Sequence, residues 1–212
     1  MKRLLLATLI SLVSIFSFGQ NDGALKFLGI PIDGTESQFA AKLRGKGFTY
    51  NSLYENYKGQ FNGKNVEVYI HTNHNLVDRV YVSFLSTIEE NIRIDFNRLL
   101  SQFKKNSKYM DLSTNEQIPD NDDISYEITV NKKRYQASFS YFDPERDPLA
   151  FANALIDKFD GNKAFLFLAT LIDGMKSLAD GEVWFMIHEN YGHYNIGLYY
   201  DNLHNQANGE DL

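Results

Sequence analysis

Cysteine is absent from this chain of 212 residues. Its absence excludes disulfide bonds, thiolate metal ligands and cysteine nucleophiles, and it also excludes a lipid anchor on an N-terminal cysteine. The folded protein must therefore be stabilised by its apolar core and its hydrogen bonds. A chain of this length is long enough to form one domain with a sizeable core.

An excess of basic residues is also absent. The 21 Lys and Arg residues are outnumbered by 27 Asp and Glu, which gives a formal charge of −6. Loss of Lys2 and Arg3 with an N-terminal leader would change the charge from −6 to −8, since two positive charges are removed. An acidic domain without a basic stripe argues against nucleic acid or anionic lipid as the main partner.

One long apolar run occurs, and it lies at the N-terminus. Two positive charges precede the apolar segment Leu4–Phe16, and Ser17 and Gly19 are small residues at the two positions that signal peptidase reads. This order is typical of a signal peptide, here residues 1–19, with cleavage before Gln20. An uncleaved anchor is the alternative, but a membrane span needs about 20 apolar residues. We expect an exported protein, periplasmic or secreted, with no stable membrane span after cleavage.

Residues 25–84 predict a helix followed by a meander of strands. Leu25–Ile32 is expected to be a strand that ends at a turn. Thr35 and Gln38 have the spacing of a capping box, so a helix should begin there. Asn62-Gly63 separates two strand-like runs, and this dipeptide is the strongest short signal for a β-hairpin.

The clearest helix is predicted over Thr87–Asn106, with Ser86 or Thr87 as its N-cap. Its apolar residues recur at spacings of three and four, which places them on one face of an amphipathic helix. These residues are Ile88, Ile92, Phe96, Leu99 and Phe103.

Further strands are expected in the second half of the chain. Ile124–Val130 and Arg134–Phe142 are predicted to form a second hairpin, and Tyr109–Leu112 a short strand. Glu182–Glu189 and His193–Tyr200 are predicted to form a last hairpin. Both faces of that hairpin are apolar, which favours a central position in the sheet.

Two helices are expected between these hairpins. Asp147-Pro148 predicts a helix start, and Leu149–Phe159 should follow as a short helix. Lys163–Ala179 predicts a buried helix, with a strand at Phe165–Leu168 as the alternative. The chain should end in a polar tail over Asp201–Leu212.

Together these elements predict an α+β fold, in which one or more antiparallel meander sheets pack against two to four helices. Residues 20–212 should form a single domain. A helix followed by a meander is predicted in residues 25–84 and again in 87–142. Two degenerate halves, completed by residues 148–200, are therefore one interpretation, and the general similarity of all hairpins is the other.

Enzyme motifs are not found in the sequence. It contains no Gly-x-Ser-x-Gly and no phosphate-binding glycine loop. His188-Glu189 and His193 lack the spacing of the helical metalloprotease motif. The acidic loop Ser113–Asp123 lacks the glycine and the alternating ligands of a calcium loop. We expect no catalytic residues, no metal site and no cofactor, although carboxylates distant in sequence could still meet.

Tyr69 and Tyr81 are the candidate binding residues, flanked by His71 and Arg79. All four alternate with apolar residues, so they should leave the sheet on the side opposite those residues. Tyrosine suits an interface because its ring adds contact area and its hydroxyl adds a hydrogen bond. Cross-strand pairing on a solvated sheet is the structural alternative. Two further tyrosines are expected on exposed strand faces, namely Tyr194 and Tyr200.

Residues 28–35, Leu-Gly-Ile-Pro-Ile-Asp-Gly-Thr, lead into the capped helix and its strands. This stretch resembles exported helix-then-meander domains of the SmpA/OmlA type, which are outer-membrane assembly lipoproteins, and domains like the β-lactamase inhibitor protein. The resemblance implies an antiparallel sheet after the helix. The lipobox cysteine of the lipoproteins is missing here. The whole chain, ending in Tyr199-Tyr200-Asp201-Asn202, also resembles small exported proteins of Bacteroidetes whose function is unknown, which implies a compartment rather than an activity.

The leading hypothesis is an exported, non-catalytic binding or envelope-assembly module. It would recognise a protein or peptide partner in the cell envelope through its sheet. One alternative is a hydrolase of an envelope polymer with a carboxylate or histidine site. The other is a carrier of a small apolar ligand.

Overall fold

The computed structural model describes residues 23–143, 150, 151, 154 and 167–206. The expected signal peptide, the start of the expected helix 163–179 and the end of the polar tail lie outside the described residues. Most of the expected helix 149–159 also lies outside them.

The protein has an α+β fold. Four helices have bounds within the described residues: α1 Glu36–Gly45, α2 Glu89–Lys105, α3 Ile124–Thr129 and α4 Phe167–Lys176. The strands are β1 Lys26–Phe27, β2 Ile30–Pro31, β3 Thr49–Asn51, β4 Asn56–Phe61, β5 Lys64–Asn73, β6 Leu76–Phe84, β7 Tyr109–Met110, β8 Gln136–Tyr141, β9 Gly181–Asn190 and β10 His193–Asn202.

Strands β3 to β10 form one antiparallel sheet in the order β3-β4-β5-β6-β10-β9-β8-β7, and β1 and β2 form a separate two-stranded sheet. The first four strands of the large sheet follow α1, and the last four follow α2. The two sets meet where β6 pairs with β10. One helix followed by four strands therefore occurs twice along the chain, with α3 and α4 inserted among the later strands.

Helices α1 and α2 pack on the same side of the large sheet, where they bury their apolar stripes. α1 contributes Phe39, Ala40 and Leu43, and α2 contributes Ile92, Phe96, Leu99, Leu100 and Phe103. Alternate residues of the central strands complete this core, among them Val68, Val82, Phe185 and Leu198. We call the opposite side of the large sheet its outer side.

The local signals for α1 and the first hairpin are confirmed. The Thr35 hydroxyl accepts a hydrogen bond from the Gln38 N–H, and the Gln38 side chain accepts one from the Thr35 N–H. Asn62 and Gly63 adopt φ of 53° and 73°, as a tight hairpin turn requires. The prediction of α2 is also confirmed, except for its cap: the N-cap residue is Ile88, which makes no side-chain capping bond.

The prediction of one strand over Leu25–Ile32 is wrong. The segment folds back on itself as a short hairpin, in which Phe27 pairs with Ile30. Leu28 and Gly29 both have positive φ, at 51° and 78°, and form the turn. The hairpin allows Phe27 and Ile30 to enter the core together, which a straight strand could not do.

The prediction of a strand over Ile124–Val130 is also wrong, because this segment forms α3. The Asp123 carboxylate accepts a hydrogen bond of 2.8 Å from the Tyr126 N–H and so caps the helix. Strand β8 exists as expected within Arg134–Phe142, but it pairs with β7 and β9 instead.

Most of the remaining predictions within the described residues agree with the structure. The polar tail predicted from Asp201 is wrong at its start: Asp201 and Asn202 end β10 and are buried, and the Asn202 side chain donates a hydrogen bond of 2.8 Å to the Ile32 carbonyl oxygen. Phe167–Lys176 is a helix, so the strand alternative fails for residues 167 and 168. The last hairpin is formed by β9 and β10, and β10 lies in the centre of the sheet between β6 and β9. None of the described helices has the length and apolar character needed to cross a membrane.

Candidate binding face

Four aromatic side chains stack in a row across the outer side of the sheet. Tyr69 on β5, Tyr81 on β6, Tyr199 on β10 and Trp184 on β9 occupy directly opposed positions on neighbouring strands. Successive ring centroids are 5.4, 4.6 and 3.8 Å apart, with interplanar angles of 25°, 18° and 7°. Neighbouring strands are about 4.8 Å apart, so the sheet itself brings the rings to stacking distance. We call this row the aromatic ladder.

Between its two ends the ladder presents ring edges, not ring faces, to the outside. All four side chains are half-buried: Tyr81 and Tyr199 are stacked on both faces, and the end rings Tyr69 and Trp184 are each stacked on one face. The pKa of Tyr199 is raised to about 12, mainly by burial and then by the neighbouring Tyr81. The ladder is therefore a ridge of ring edges and tyrosine hydroxyls.

Polar side chains close the Tyr69 end of the ladder. Tyr69 donates a hydrogen bond of 3.1 Å to Glu67 and accepts one of 2.9 Å from the side-chain amide of Asn56. Burial, and then the nearby Glu67 carboxylate, raises the pKa of Tyr69. Asn56 is fully buried, and these contacts hold the Tyr69 ring upright against Tyr81.

A row of charged side chains runs beside the ladder. His71, Arg79, Asp201 and Glu182 occupy opposed positions on β5, β6, β10 and β9. Arg79 donates to both carboxylate oxygens of Asp201, at 2.5 and 2.9 Å, and Trp184 donates its indole N–H to the same carboxylate at 2.8 Å. Asp201 is only 3% exposed, so these donors compensate a buried negative charge.

Arg79 also ties the charged row to the ladder. Its guanidinium carbon lies 6.0 Å from the centroid of Trp184 and 5.7 Å from that of Tyr199, within the range of cation–π attraction. The hydrogen bonds that Arg79 donates to Asp201 raise the pKa of Arg79, so the guanidinium stays charged. Arg79 is thus fixed on three sides by the acceptor and by two aromatic rings.

Glu182 differs from Asp201 in making no direct ion pair in the part of the chain that the structure describes. Within the described residues, no Lys or Arg lies within 4.0 Å of its carboxylate. Burial, and then the nearby Asp201, raises the pKa of Glu182. A hydrogen bond from the Ser138 side chain opposes that shift, and so do the more distant cations Lys176 and Arg79. The folded protein therefore holds a half-buried carboxylate beside the ladder whose charge is offset only from longer range.

A glycine shapes the centre of the outer side. Gly197 on β10 lies under the rings of His188 and Tyr81: a methyl group at this position would come within 2.7 Å of His188 Nε2 and 3.0 Å of Tyr81. His188 Nε2 lies 3.3 Å from the Tyr199 hydroxyl, and burial lowers the pKa of His188. Gly197 is needed here for close approach, since its own backbone is extended.

The structure brings all four predicted binding residues to the outer side. Tyr69 and Tyr81 stack on each other, and His71 lies directly opposite Arg79 on the neighbouring strand. His71 Nδ1 contacts Asp78 at 2.7 Å, so its ring is held in place. The sequence interpretation thus located one half of the row correctly.

The other half of the row was missed, although the sequence contained the signal. Alternate residues of a strand point to the same side of the sheet. In β10, Tyr194 and Tyr200 alternate in step with Ile196 and Leu198, so all four point to the core side. The expectation that the two tyrosines are exposed is therefore wrong: Tyr194 is 2% and Tyr200 5% exposed. The same alternation places Gly197, Tyr199 and Asp201 on the outer side, and in β9 it places Glu182, Trp184 and His188 there.

Other possible sites were assessed over the described part of the chain. There, no group of three or more His, Asp or Glu side chains is arranged to hold a metal ion. One depression of about 490 Å³ lies beside the start of α1 and is lined by Thr35, Glu36, Arg44 and Tyr57 among others. A second of about 490 Å³ lies on α2 around Arg98 and is lined chiefly by polar residues. Neither adjoins the ladder.

Comparisons with known proteins give no match: no family model, no curated protein and no solved structure matches the chain. Functional inference therefore depends on the chemistry of the sheet itself.

Proposed function

We propose that the chain is an exported, non-catalytic module that binds a protein or peptide of the cell envelope through the outer side of its sheet. The observation that carries this proposal is the aromatic ladder with its charged row. They span the four central strands on the side that α1 and α2 leave uncovered. Tyr, Trp and Arg are the residues most enriched at the energetic centres of protein interfaces.

The chemistry of this surface favours a polypeptide over a sugar polymer. Sugar rings bind aromatic residues by stacking on a free ring face, and the inner rings of the ladder have both faces occupied by neighbours. The ladder instead offers edges and hydroxyls, next to an arginine and carboxylates. Such a mixture matches the amide groups and mixed side chains of a protein partner.

The surface is also organised before any partner arrives. Stacking fixes the rings, and Asp201 fixes Arg79 through two hydrogen bonds. Binding to fixed side chains loses less conformational entropy than binding to mobile ones. This rigidity supports a recognition role for the outer side.

The two alternatives have less support. A hydrolase of a sugar polymer needs two available carboxyl groups. Glu182 is available, but its neighbour Asp201 is saturated by Arg79 and Trp184, and His188 lies over Gly197 against Tyr199. A carrier needs an enclosed apolar pocket. The two depressions noted above are open surface features, and the core behind the sheet is filled by large side chains such as Phe27, Phe96 and Phe185.

Capture from the envelope fraction of the source cells tests the proposal. The chain without residues 1–19 would be immobilised beside the double variant Tyr69→Ser/Tyr81→Ser, and bound proteins would be identified by mass spectrometry. We expect a partner that the unchanged chain retains and the double variant does not. Binding would then be measured between the two purified proteins.

A matched control removes two tyrosines elsewhere. Tyr126 and Tyr191 are 53% and 95% exposed and lie away from the ladder, so Tyr126→Ser/Tyr191→Ser should leave capture intact. Circular dichroism would establish that each variant is folded. Capture that survives in Tyr69→Ser/Tyr81→Ser would refute the surface assignment, and so would unfolding of that variant, because the tyrosines would then be structural.

Export is the second part of the proposal and has its own measurement. Mass spectrometry of the protein from its source should give a chain that begins at Gln20, because charge, apolar run and small residues occur in signal-peptide order. Retention of Met1 would contradict export by cleavage.

A further inference from the structure

The aromatic ladder stops abruptly at Trp184. On the next strand, β8, the position directly opposite Trp184 is Ser138, and the position opposite Glu182 is Ser140. Both serines share the outer side with their partners, because directly opposed residues of antiparallel strands point to the same side. Short side chains thus stand where a fifth ring would continue the row.

The indole face that points toward β8 has no ring stacked on it within the described residues. Trp184 stacks on Tyr199 with an interplanar angle of only 7°, so its second face is turned toward the position above Ser138. The Ser138 hydroxyl forms a hydrogen bond of 2.8 Å with the Ser113 hydroxyl. A planar group placed one strand spacing beyond Trp184 would lie on the indole and above these hydroxyls.

The charge at this position is negative. The Glu182 carboxylate belongs to the same strand as Trp184 and interacts with the Ser138 side chain, which places it at the edge of the same space. No lysine or arginine of the described chain pairs with it within 4.0 Å. Lys176 and Arg79 act on it from longer range. An aromatic face with a carboxylate at its edge that no cation contacts directly attracts a further cation.

The protein already binds one guanidinium in this way. Arg79 lies over Trp184 and Tyr199 and donates two parallel hydrogen bonds to Asp201. Glu182 stands beside Asp201 in the same row, one strand further along, and Trp184 is the ring next to both. Glu182 therefore has the same ring beside it, but no arginine of the described chain within 4.0 Å; Arg79 and Lys176 act on it only from longer range.

The geometry points to a slot between Trp184, Glu182 and Ser138 that binds an arginine side chain of the partner. Its guanidinium stacks on the free face of Trp184 as a fifth rung and donates to the Glu182 carboxylate. Arginine fits better than lysine, because its planar fork both stacks on rings and matches a carboxylate. The assignment rests on the proposed function in so far as the arginine belongs to the polypeptide bound there.

Trp184 itself reports on the slot, since it is the only tryptophan of the chain. The chain without residues 1–19 would be titrated with N-acetyl-arginine amide at constant ionic strength, while tryptophan emission is followed. N-acetyl-citrulline amide serves as the matched neutral probe, because it has the same shape without the charge. We expect a saturable change in emission with the arginine probe, at about millimolar concentration, and none with citrulline over the same range.

The variant Glu182→Gln should raise the Kd of the arginine probe by at least about fivefold, because it removes the charged acceptor. Glu189→Gln is the matched control: Glu189 lies on the same strand but binds the Gly192 N–H at the hairpin turn, so the titration should not change. Equal binding of arginine and citrulline, or no saturable change, overturns the slot. Those titrations need only the unchanged chain, so the folding of the variants does not decide the result.

The slot and the proposed function fail separately. If Tyr69→Ser/Tyr81→Ser loses its captured partner but the arginine probe does not bind, the slot is wrong and the binding face stands. If the probe binds as expected while capture survives in that variant, the slot stands and the assignment of Tyr69 and Tyr81 is wrong.

Discussion

The rings of Trp184 and Tyr199 lie in nearly parallel planes, 7° apart, with their centroids separated by 3.8 Å. Tyr199 also has Tyr81 on its other face at 4.6 Å. It therefore joins the two halves of the aromatic ladder across the central strands β6 and β10. This position makes Tyr199 the ring on which the integrity of the ladder depends most.

Replacement of Tyr199 by leucine should destabilise the protein. The variant Tyr199→Leu loses two stacked pairs but keeps an apolar side chain, and each aromatic pair contributes about 0.5–1.5 kcal/mol beyond its buried area. We expect the free energy of unfolding to fall by about 1–3 kcal/mol, measured by urea denaturation followed by circular dichroism. Tyr191→Leu, at a turn where Tyr191 is exposed, should change it little. Equal losses in the two variants would mean that stacking does not stabilise the sheet.

Gly197→Ala should destabilise the protein through a steric clash on the outer side. The added methyl group meets His188 Nε2 and Tyr81, so one of the two rings must move, at a loss of about 1–3 kcal/mol. Removal of the imidazole in His188→Ala should restore part of that loss in the double variant. A double-mutant cycle measures this coupling. Strictly additive effects would show that His188 does not occupy the space above Gly197.

Glu182→Gln should stabilise the protein at neutral pH. The folded-state pKa of Glu182 is raised above the ordinary value of 4.5 by burial and by Asp201, so the folded state binds more protons than the unfolded state between those two pKa values. Stability from this residue is therefore lost as pH rises through that window. Denaturation at a series of pH values from 4 to 8 should show the difference between Glu182→Gln and the unchanged chain growing with pH and then levelling off. A difference that is independent of pH would contradict the raised pKa.

Leu99→Ala should destabilise the protein strongly. Leu99 lies on the buried stripe of α2 and is 3% exposed, so truncation leaves a cavity in the core and lowers the free energy of unfolding by about 2–5 kcal/mol. Ile94 lies on the same helix but is 55% exposed, which makes Ile94→Ala the matched control. Similar melting curves for the two variants would mean that the stripe does not pack as the structure shows.

Elements fixed by local chemistry were predictable from the sequence. The capping box of Thr35 and Gln38, the Asn62-Gly63 turn and the apolar stripe of α2 each depend on residues close in sequence. The predictions for Leu28-Gly29 and for α3 were wrong because the local pattern was misleading in both. Leu28-Gly29 is a turn without the usual polar residue. The α3 segment alternates apolar and polar residues like a strand, but Asp123 caps it as a helix.

The ladder could be predicted only in part, because it depends on strand order. Tyr69 and Tyr81 lie on consecutive strands joined by a tight turn, so their neighbourhood follows from a hairpin. Tyr199 joins Tyr81 only because β10 inserts next to β6, and Trp184 follows because β9 pairs with β10. Alternation gives the side of the sheet for each ring, but no local pattern in the sequence gives this order.

The central place of β10 has a consequence for the order of folding. It is the last strand of the described chain, yet it pairs with β6 through residues more than a hundred positions apart, as in Tyr199 opposite Tyr81. Until β10 is available, β6 and β9 are unpaired strand edges, which are the usual starting points of aggregation. A chain that is still being synthesised therefore cannot complete its sheet early. A product that stops before His193 would carry two half-sheets with unpaired edges in place of one continuous sheet. Such a chain should need protection until its final strand arrives.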